Sequence, residues 1–143
     1  MAKDFAKEFV DILKSYTDEV VEATMEETIN TANDGCDLLQ QIRQPETSKG
    51  GSAKPMTRRE WKRYSKSWTI KQTNGNGYIR CQIHNKKYYR LTHLLEYGHA
   101  TRNGTYTRAF RHIEPIEIYC SDRLQRTIPK IIEKGGKLWH LRN

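Results

Sequence analysis

The first forty residues carry an apolar stripe whose members recur at steps of mostly three and four. This spacing predicts one amphipathic helix from Asp4 to Ile42, with Asp4 as its N-cap and Gln44-Pro45 as its stop. A helix of this length cannot bury its whole stripe against a small sheet, so part of the stripe is expected to meet another chain. The stripe comprises Phe5, Phe9, Ile12, Leu13, Tyr16, Val20, Ala23, Met25, Ile29, Ala32, Cys36 and Leu39.

The middle of the chain carries the pattern of an antiparallel hairpin. Residues 58–71 alternate in polarity and predict a strand with Trp68 and Ile70 on its packed face and Trp61 off that face. The sequence Asn-Gly-Asn-Gly at 74–77 suits a tight turn, because these residues tolerate positive φ angles. The clean alternation of the segment that follows predicts the second strand.

Two further helices and two loops complete the sequence-based prediction. Leu91, Leu94 and Leu95 indicate a short helix that Gly98 ends. Residues 44–56 and 99–112 are long, polar and basic, which is typical of mobile loops.

The last predicted helix begins near Pro115, should kink or split at Pro129, and ends at Gly135-Gly136. The expected fold class is α+β, a small antiparallel sheet with the long N-terminal helix and the C-terminal helix packed on one face.

Length and composition predict one soluble intracellular domain, residues 1–134, followed by a tail at 135–143. A chain of 143 residues has the size of a single domain. No apolar run reaches the ~18 residues that a membrane span needs, so no membrane partner is expected. Three cysteines, far apart and without a CxxC pair, predict neither a disulfide framework nor a zinc finger.

Charge is divided unevenly along the chain. Residues 1–43 hold four basic and ten acidic residues, a net charge of −6, and the remaining 100 residues hold 21 basic and seven acidic residues, a net charge of +14. This division fits either a nucleic-acid-binding protein or a part that assembles with copies of itself, acidic face to basic face. The candidate assembly surface comprises Asp18, Glu19, Glu22 and Glu26 on the acidic side and Arg102, Arg108 and Arg111 on the basic side.

The triplet His93, Glu96 and His99 raises the question of a metal or acid–base site. Zinc sites on a helix place two histidines four residues apart, whereas these two are six apart and Gly98 lies between them. The segment "RHIEPI" at 111–116 is similar to the start of an HNH nuclease motif, but the downstream Asn and His are absent. With no GxSxG elbow, P-loop or dinucleotide fingerprint, the sequence predicts no enzyme activity, no metal and no cofactor.

A nucleic-acid-binding role remains as the alternative. Basic residues are interleaved with Trp61, Trp68, Tyr88 and Tyr89, and such residues can contact phosphates while the rings stack on bases. A strand tryptophan is more often part of a core.

Four segments taken in order, "YSKSWTIK", "GYIRCQIHN", "YRLTHLLEYGHATRNG" and "RHIEPI", resemble one family. The chain is similar over about residues 3–134 to the gene-product-ten group of long-tailed bacteriophages, which are tail-component, tail-completion or head–tail joining proteins. The most specific part of the resemblance runs from Leu91 to Gly104. The chain departs from the family pattern at "TYTRAF", at Pro129 and after Gly136.

The resemblance implies a non-enzymatic virion part, assembled in the host cytoplasm as a ring where the tail meets the head. Its implied partners are other copies of itself, tail-tube or tail-terminator proteins and head-closure proteins, with packaged DNA near by. It also implies roles for the central motif: Leu91, Leu94 and Leu95 pack the short helix on the sheet, and Gly98 makes the turn. By the same resemblance, His93, Glu96 and His99 present a polar rim to the following loop or to a neighbouring subunit. The motif comprises Leu91, Thr92, His93, Leu94, Leu95, Glu96, Gly98 and His99.

Overall fold

The computed structural model describes residues 5–45, 56–102 and 104–136. The described elements are, in chain order, α1 (Phe5–Gln41), α2 (Arg58–Lys66), β1 (Trp68–Gly75), β2 (Tyr78–Asn85), α3 (Tyr89–Tyr97) and α4 (Glu114–Glu133). Four helices with one antiparallel hairpin make an α+β fold, as predicted. Within these residues, none of the helices is long and apolar enough to cross a membrane.

The chain forms two compact units, and α1 and α4 contribute to both. The first unit, here the helical unit, contains residues 1–31 and 121–143, and the second, here the mixed unit, contains residues 32–120. The predicted linker at 44–56 lies largely outside the described residues, as does the predicted tail beyond Gly136.

In the helical unit, α4 packs along one face of α1. Ala23 and Ile131 are buried between the two helices, and Val20 and Ile128 pack against them. The two helices are also joined by an ion pair, in which Nε of Arg123 lies 2.8 Å from Oε1 of the buried Glu27. A buried carboxylate needs such a partner, because an isolated charge loses its hydration.

Two glycines end α4 against α1, as the sequence predicted. Gly135 and Gly136 have φ angles of 64° and 74°, and their N–H groups donate to the carbonyls of Ile132 and Ile131. This pair of hydrogen bonds is the Schellman arrangement, which pairs the last helical carbonyls. A Cβ on Gly136 would collide with the carbonyl oxygen of Glu19, so only glycine allows this close approach.

The hairpin of the mixed unit has the predicted turn. Trp68 pairs with Asn85 at one end and Gly75 with Tyr78 at the other, which leaves a two-residue loop at 76–77. Gly77 has a φ angle of 78° and supplies the positive φ that this loop requires. Ile79, Cys81 and Ile83 are partly buried and alternate with exposed residues, as predicted, whereas His84 is also partly buried and Asn85 is fully buried at the end of β2.

Residues 58–66 form a helix, α2, so the prediction of a strand over 58–71 is wrong before Trp68. Thr57 caps the helix by accepting from the N–H of Glu60, and the Glu60 carboxylate accepts from the N–H of Thr57. This capping box fixes the first turn. The helix turns Trp61 and Tyr64 into the core, because they are three residues apart.

The core of the mixed unit is aromatic and lies among the end of α1, α2, the hairpin, α3 and the start of α4. Its buried members are Cys36, Leu39, Trp61, Tyr64 and Trp68, and its partly buried members are Ile42, Met56, Ile70, Ile83, Tyr88, Leu91, Leu95, Phe110, Ile113 and Ile116. Side chains from α1, α4 and the sheet therefore share one core.

Gly35 and Pro129 do not interrupt the helices that contain them. α1 runs through Gly35, where a Cβ would lie 2.7 Å from Sγ of Cys120 and 3.2 Å from Cδ1 of Ile83. Glycine is thus required there for close packing. α4 is likewise continuous through Pro129, so the predicted split is wrong. That proline removes one backbone donor near the end of the helix, and neighbouring packing holds the last turn.

Candidate functional site

The central motif lies on α3 and the turn that follows it. Thr92 and Glu96 are buried, and Leu91 and Leu95 pack against the aromatic core. Leu94 is 41% exposed, so the prediction that it packs on the sheet is wrong. The leucines one helical turn apart, 91 and 95, share the packed face and Leu94 does not.

Glu96 is the most constrained residue of the motif. Its side chain is 3% exposed and bonds the end of the following loop, which is one of the two partners that the resemblance implied, so it is not presented to a neighbouring subunit. Oε2 accepts hydrogen bonds from the backbone N–H groups of His112 and Ile113, each at 2.9 Å, and Oε1 accepts from that of Glu114 at 3.0 Å. The carboxylate therefore caps the first turn of α4 from a different helix, at the end where the helix dipole favours a negative charge.

His112 extends this cap into the core. Its Nδ1 lies 3.0 Å from Oε2 of Glu96 and 2.8 Å from the carbonyl oxygen of Phe110, and both of these atoms can only accept. Nδ1 therefore carries a hydrogen. Nε2 of the same ring is 2.6 Å from the hydroxyl oxygen of Tyr64, and the two atoms share a hydrogen bond.

The hydroxyl of Tyr64 stays protonated in this arrangement. Burial raises the pKa of Tyr64 well above its usual value, and the nearby Glu96 carboxylate raises it further. Glu96, His112 and Tyr64 thus form one connected network, here the buried triad. All three side chains are buried, and the triad joins α2, α3 and the segment that leads into α4.

The other two members of the predicted triplet do not join the buried triad. His93 is exposed on α3. Nδ1 of His99 lies 3.1 Å from the hydroxyl of Thr107, and that hydroxyl also accepts from the His99 N–H at 2.8 Å. Over the described residues there is no cluster of three or more side chains of the types that bind metal ions.

The loop at 99–112 is held by backbone hydrogen bonds and by one apolar side chain. Ala100 and Tyr106 form a β-bridge, and the Phe110 N–H donates to the carbonyl of Leu95 at 2.7 Å. Phe110 packs in the aromatic core and stacks on His112, with ring centroids 5.1 Å apart. The expectation that this loop is mobile rested on its polar and basic sequence, and Phe110 is an apolar anchor in its second half.

The predicted assembly residues differ in their exposure and in their contacts. Asp18, Glu22 and Glu26 are exposed at intervals of four on α1, here the acidic row. Glu19 differs, because it is half-buried and its Oε2 has no hydrogen-bond partner among the residues that the structure describes. Of the arginines, Arg102 and Arg108 are exposed.

Arg111 is already engaged within its own chain. Its guanidinium lies 4.7 Å from the centre of the Tyr97 ring and 3.7 Å from a carboxylate oxygen of Glu114. Both partners belong to the mixed unit, so this arginine is a weaker candidate for an intermolecular contact than its charge suggests.

The N-terminal half of α1 exposes a continuous apolar face, here the open seam. Phe5 and Ile12 are 74% and 67% exposed, and the large apolar side chains between and after them are also exposed. The open seam comprises Phe5, Phe9, Ile12, Leu13 and Tyr16. At about 100° per residue, it continues the face that Val20 and Ala23 present to α4.

The open seam starts where α4 ends. The Tyr16 hydroxyl donates to the carbonyl of Ile132 at 2.7 Å, and its ring would lie 3.0 Å from a Cβ on Gly135. Because Gly135 and Gly136 terminate α4 beside Tyr16, residues further toward the N-terminus of α1 have no α4 turn to pack against.

The tryptophans predicted for base stacking are not available for it. Trp61 and Trp68 are buried in the aromatic core, and their rings contact Tyr64 at centroid distances of 5.3 and 5.8 Å. Tyr88 is partly buried in the same core, and only Tyr89 of the four predicted aromatics is exposed. The aromatic half of the nucleic-acid prediction is therefore wrong for the two tryptophans.

Sequence reasoning missed the buried triad and α2. The spacing Thr57-x-x-Glu60 is the signal of a capping box and would have indicated a helix. The triad has no such signal, because Glu96, His112 and Tyr64 come from three separate segments. Comparison of the chain with known protein families, characterised proteins and solved structures finds no match.

Proposed function

We propose that the protein is a non-enzymatic structural subunit of the head–tail junction of a long-tailed phage, where it forms a ring of like copies. The observation that carries this proposal is the open seam, since five large apolar side chains on one helix face are exposed. Such a face on a soluble chain is typical of a surface that another protein covers. The resemblance of residues 91–104 to tail-completion proteins supplies the setting.

The energetics favour assembly through α1. Removing each large apolar side chain from water contributes roughly 1.5–3 kcal/mol, so the open seam can offset much of the cost of association. The acidic row lies on the same helix, and like copies carry a basic mixed unit. Opposite charges steer the encounter and select the face that docks.

The test uses a lysate of a phage whose own copy of this gene is inactivated. Purified protein added to the separated heads and tails is expected to restore joined particles in electron micrographs, together with infectious units. The control is a Phe9→Asp, Ile12→Asp variant, which disrupts the open seam and should restore neither. If the wild-type protein leaves heads and tails separate while remaining folded by circular dichroism, the proposal is wrong.

A second candidate function is binding to DNA or RNA, and the basic face of α2 supports it. Arg58, Arg59, Lys62, Arg63 and Lys66 are all exposed on this short helix. Binding through phosphates loses affinity steeply with salt, so a titration of random duplex DNA at 50 to 200 mM salt separates the candidates. Micromolar binding that fades over about this range favours nucleic acid, and its absence at low salt excludes it.

A further inference from the structure

The side of α1 that faces away from α4 is a shallow groove with one apolar and one acidic edge. Val21, Met25 and Ile29 recur every four residues along it. The acidic row, Asp18, Glu22 and Glu26, runs beside them with the same interval. At about 100° per residue Val21, Met25 and Ile29 lie roughly opposite Tyr16 and Ala23, which face α4, and the acidic row lies at the side of the helix between the two faces. This groove therefore belongs to a surface other than the open seam.

The outer side of α2 carries a basic counterpart to the acidic row. Arg58, Lys62 and Lys66 are exposed and recur every four residues, and Arg59 and Arg63 form a second line beside them. No acidic side chain of the described residues forms an ion pair with any of the five. The inner side of the same helix is anchored by Trp61 and Tyr64, so the basic side is held outward.

We propose that α2 of one copy docks in the α1 groove of a second copy, and that this contact propagates the ring. The inference rests on the proposed function, since it requires that like copies assemble. Both rows place three charges at intervals of four residues, which is about 6 Å along a helix axis. The two rows therefore match in spacing and sign, and each copy offers one row of each kind.

The apolar edge of the groove fits the same occupant. Lysine and arginine side chains have long apolar stems that lie along apolar surfaces while their charged ends reach outward. Stems from α2 can cover Val21, Met25 and Ile29 while the charged groups meet the acidic row. A neutral apolar peptide would leave three carboxylates beside it without partners, which makes it a poorer occupant.

In this proposal α2 supplies the basic side of the contact, whereas the sequence predicted it in the loop at 99–112. Arg102 and Arg108 do not form a row, and Arg111 is held by Tyr97 and Glu114. A helix presents its charges at fixed spacing, so it can match a second helix over several residues at once. The contact joins an acidic face to a different, basic face, which is the kind of interface that closes into rings.

The experiment exchanges the charges of the two rows. Variant A carries Asp18→Lys, Glu22→Lys and Glu26→Lys, and variant B carries Arg58→Glu, Lys62→Glu and Lys66→Glu. All six positions are exposed, so both variants should keep the wild-type circular dichroism spectrum. Each variant alone presents two faces of like charge. An equimolar mixture restores opposite charges at every junction, with A and B alternating.

Sedimentation velocity at 50 and 150 mM salt measures the outcome. Self-association of A alone and of B alone is expected to weaken by about tenfold or more, and the mixture should recover most of the wild-type association. The matched control, Arg102→Glu, Arg108→Glu and Arg111→Glu, should neither weaken association to the same degree nor restore variant A.

The possible results separate the two proposals. If the wild-type chain stays monomeric at high concentration and low salt, self-assembly itself is wrong and the inference fails with it. If the wild-type chain assembles but A and B assemble equally well, or their mixture does not recover, self-assembly stands and the docking of α2 is wrong. Loss of DNA binding in variant B with unchanged assembly would assign α2 to nucleic acid instead.

Discussion

Glu96 illustrates how a carboxylate can be buried when backbone N–H groups satisfy it. A carboxylate withdrawn from water costs several kcal/mol unless hydrogen bonds replace its hydration. Three backbone N–H groups and Nδ1 of His112 supply that replacement here. Those N–H groups belong to the start of α4, where they have no helical acceptor of their own, so the carboxylate and the helix end satisfy each other.

Replacing Glu96 with alanine should destabilise the protein strongly. The change removes an acceptor from the N–H groups of residues 112–114, of which that of His112 keeps the carbonyl of Phe110 at 3.0 Å, and each lost partner costs about 1–3 kcal/mol. We expect a loss of about 3 kcal/mol or more in the free energy of unfolding, measured from the urea midpoint at pH 7. The control is Glu114→Ala, whose exposed side chain should cost less than about 1 kcal/mol. Equal effects would show that the buried cap contributes little.

Tyr64 should make the protein sensitive to alkali. Burial first, and the Glu96 carboxylate second, raise its pKa in the folded state above the ordinary value of 10.0. The unfolded chain therefore releases this proton at a lower pH than the folded chain does. The contribution to stability is complete below pH 10 and is lost as pH rises above it, by up to about 1.4 kcal/mol per pH unit.

The measurement is the urea midpoint of the wild-type chain and of Tyr64→Phe between pH 8.5 and 11. The variant loses the hydrogen bond to His112 and should start from a lower stability. Its stability should then fall less steeply with pH than that of the wild type. Parallel curves would contradict the raised pKa.

At the scale of elements, the sequence predicted the hairpin and the three helices that carry an unambiguous period or turn signal. α1, α3 and α4 each show apolar steps of three and four, and the Asn-Gly turn defines the hairpin register. α2 was missed because nine residues with six charged side chains also fit an alternating pattern. Whether Trp61 points inward depends on packing against core residues from distant segments, which a local pattern does not contain.

The position of Trp61 on α2 gives an expectation opposite to that of the strand prediction. Trp61 is 7% exposed, and its Nε1 donates to the carbonyl of Ile42 at 3.1 Å. Trp61→Ala should cost roughly 3–5 kcal/mol, as much as Trp68→Ala, because each leaves a cavity in one core. Tyr106→Ala is the exposed control and should change the urea midpoint little. A mild effect of Trp61→Ala would favour the strand.

The contact between α4 and α1 can be measured by comparing two glycines. Gly136 and Gly77 have φ angles of 74° and 78°, so alanine at either carries a similar backbone strain of about 1–2 kcal/mol. A Cβ at Gly77 meets nothing within 4 Å, whereas at Gly136 it would collide with Glu19 and lie 2.9 Å from the Val20 nitrogen. Gly136→Ala should therefore cost about 1–3 kcal/mol more than Gly77→Ala in thermal unfolding. Equal costs would mean that the helix ends can separate freely.

The candidate site was less predictable than the elements. Charge counting indicated the acidic side of α1, and Asp18, Glu22 and Glu26 are indeed exposed. Charge counting could not show that Glu19 is half-buried or that Arg111 contacts Tyr97. The burial of one residue and the contact of the other depend on neighbours that only folding brings together. The role of Glu96 depends on residues sixteen to eighteen positions away, which no local pattern reveals.

At the scale of the whole molecule, the two long helices differ in length, so α4 leaves part of the apolar face of α1 uncovered. α1 has 37 residues and α4 has 20. The twelve residues from Phe5 to Tyr16 extend about 17 Å along α1, and α4 covers only the end of that stretch at Tyr16. An isolated helical stretch of this length is marginal in water, so its apolar face is the part of the fold that gains most from a partner.

Substitutions in the open seam should separate assembly from folding. Phe9→Ser with Ile12→Ser removes exposed apolar surface and should change the monomer's free energy of unfolding by less than about 0.5 kcal/mol. The same variant should weaken self-association in sedimentation velocity. Ile131→Ala is the contrasting variant, since it opens a cavity between α1 and α4 and should cost about 2–5 kcal/mol. Strong destabilisation of the monomer by the seam variant would show that the seam is covered within one chain.

The cap that Glu96 places on α4 should allow the chain to be cut between α3 and α4 without loss of the fold. It fastens the start of α4 to α3 across the loop, and the bridge between Ala100 and Tyr106 closes that loop a second time. These contacts should therefore hold α3 and the start of α4 together even when the peptide bond after Arg102 is broken. Co-expressed halves, residues 1–102 and 103–143, should associate into a native-like complex, and Glu96→Ala in the first half should prevent this fragment complementation.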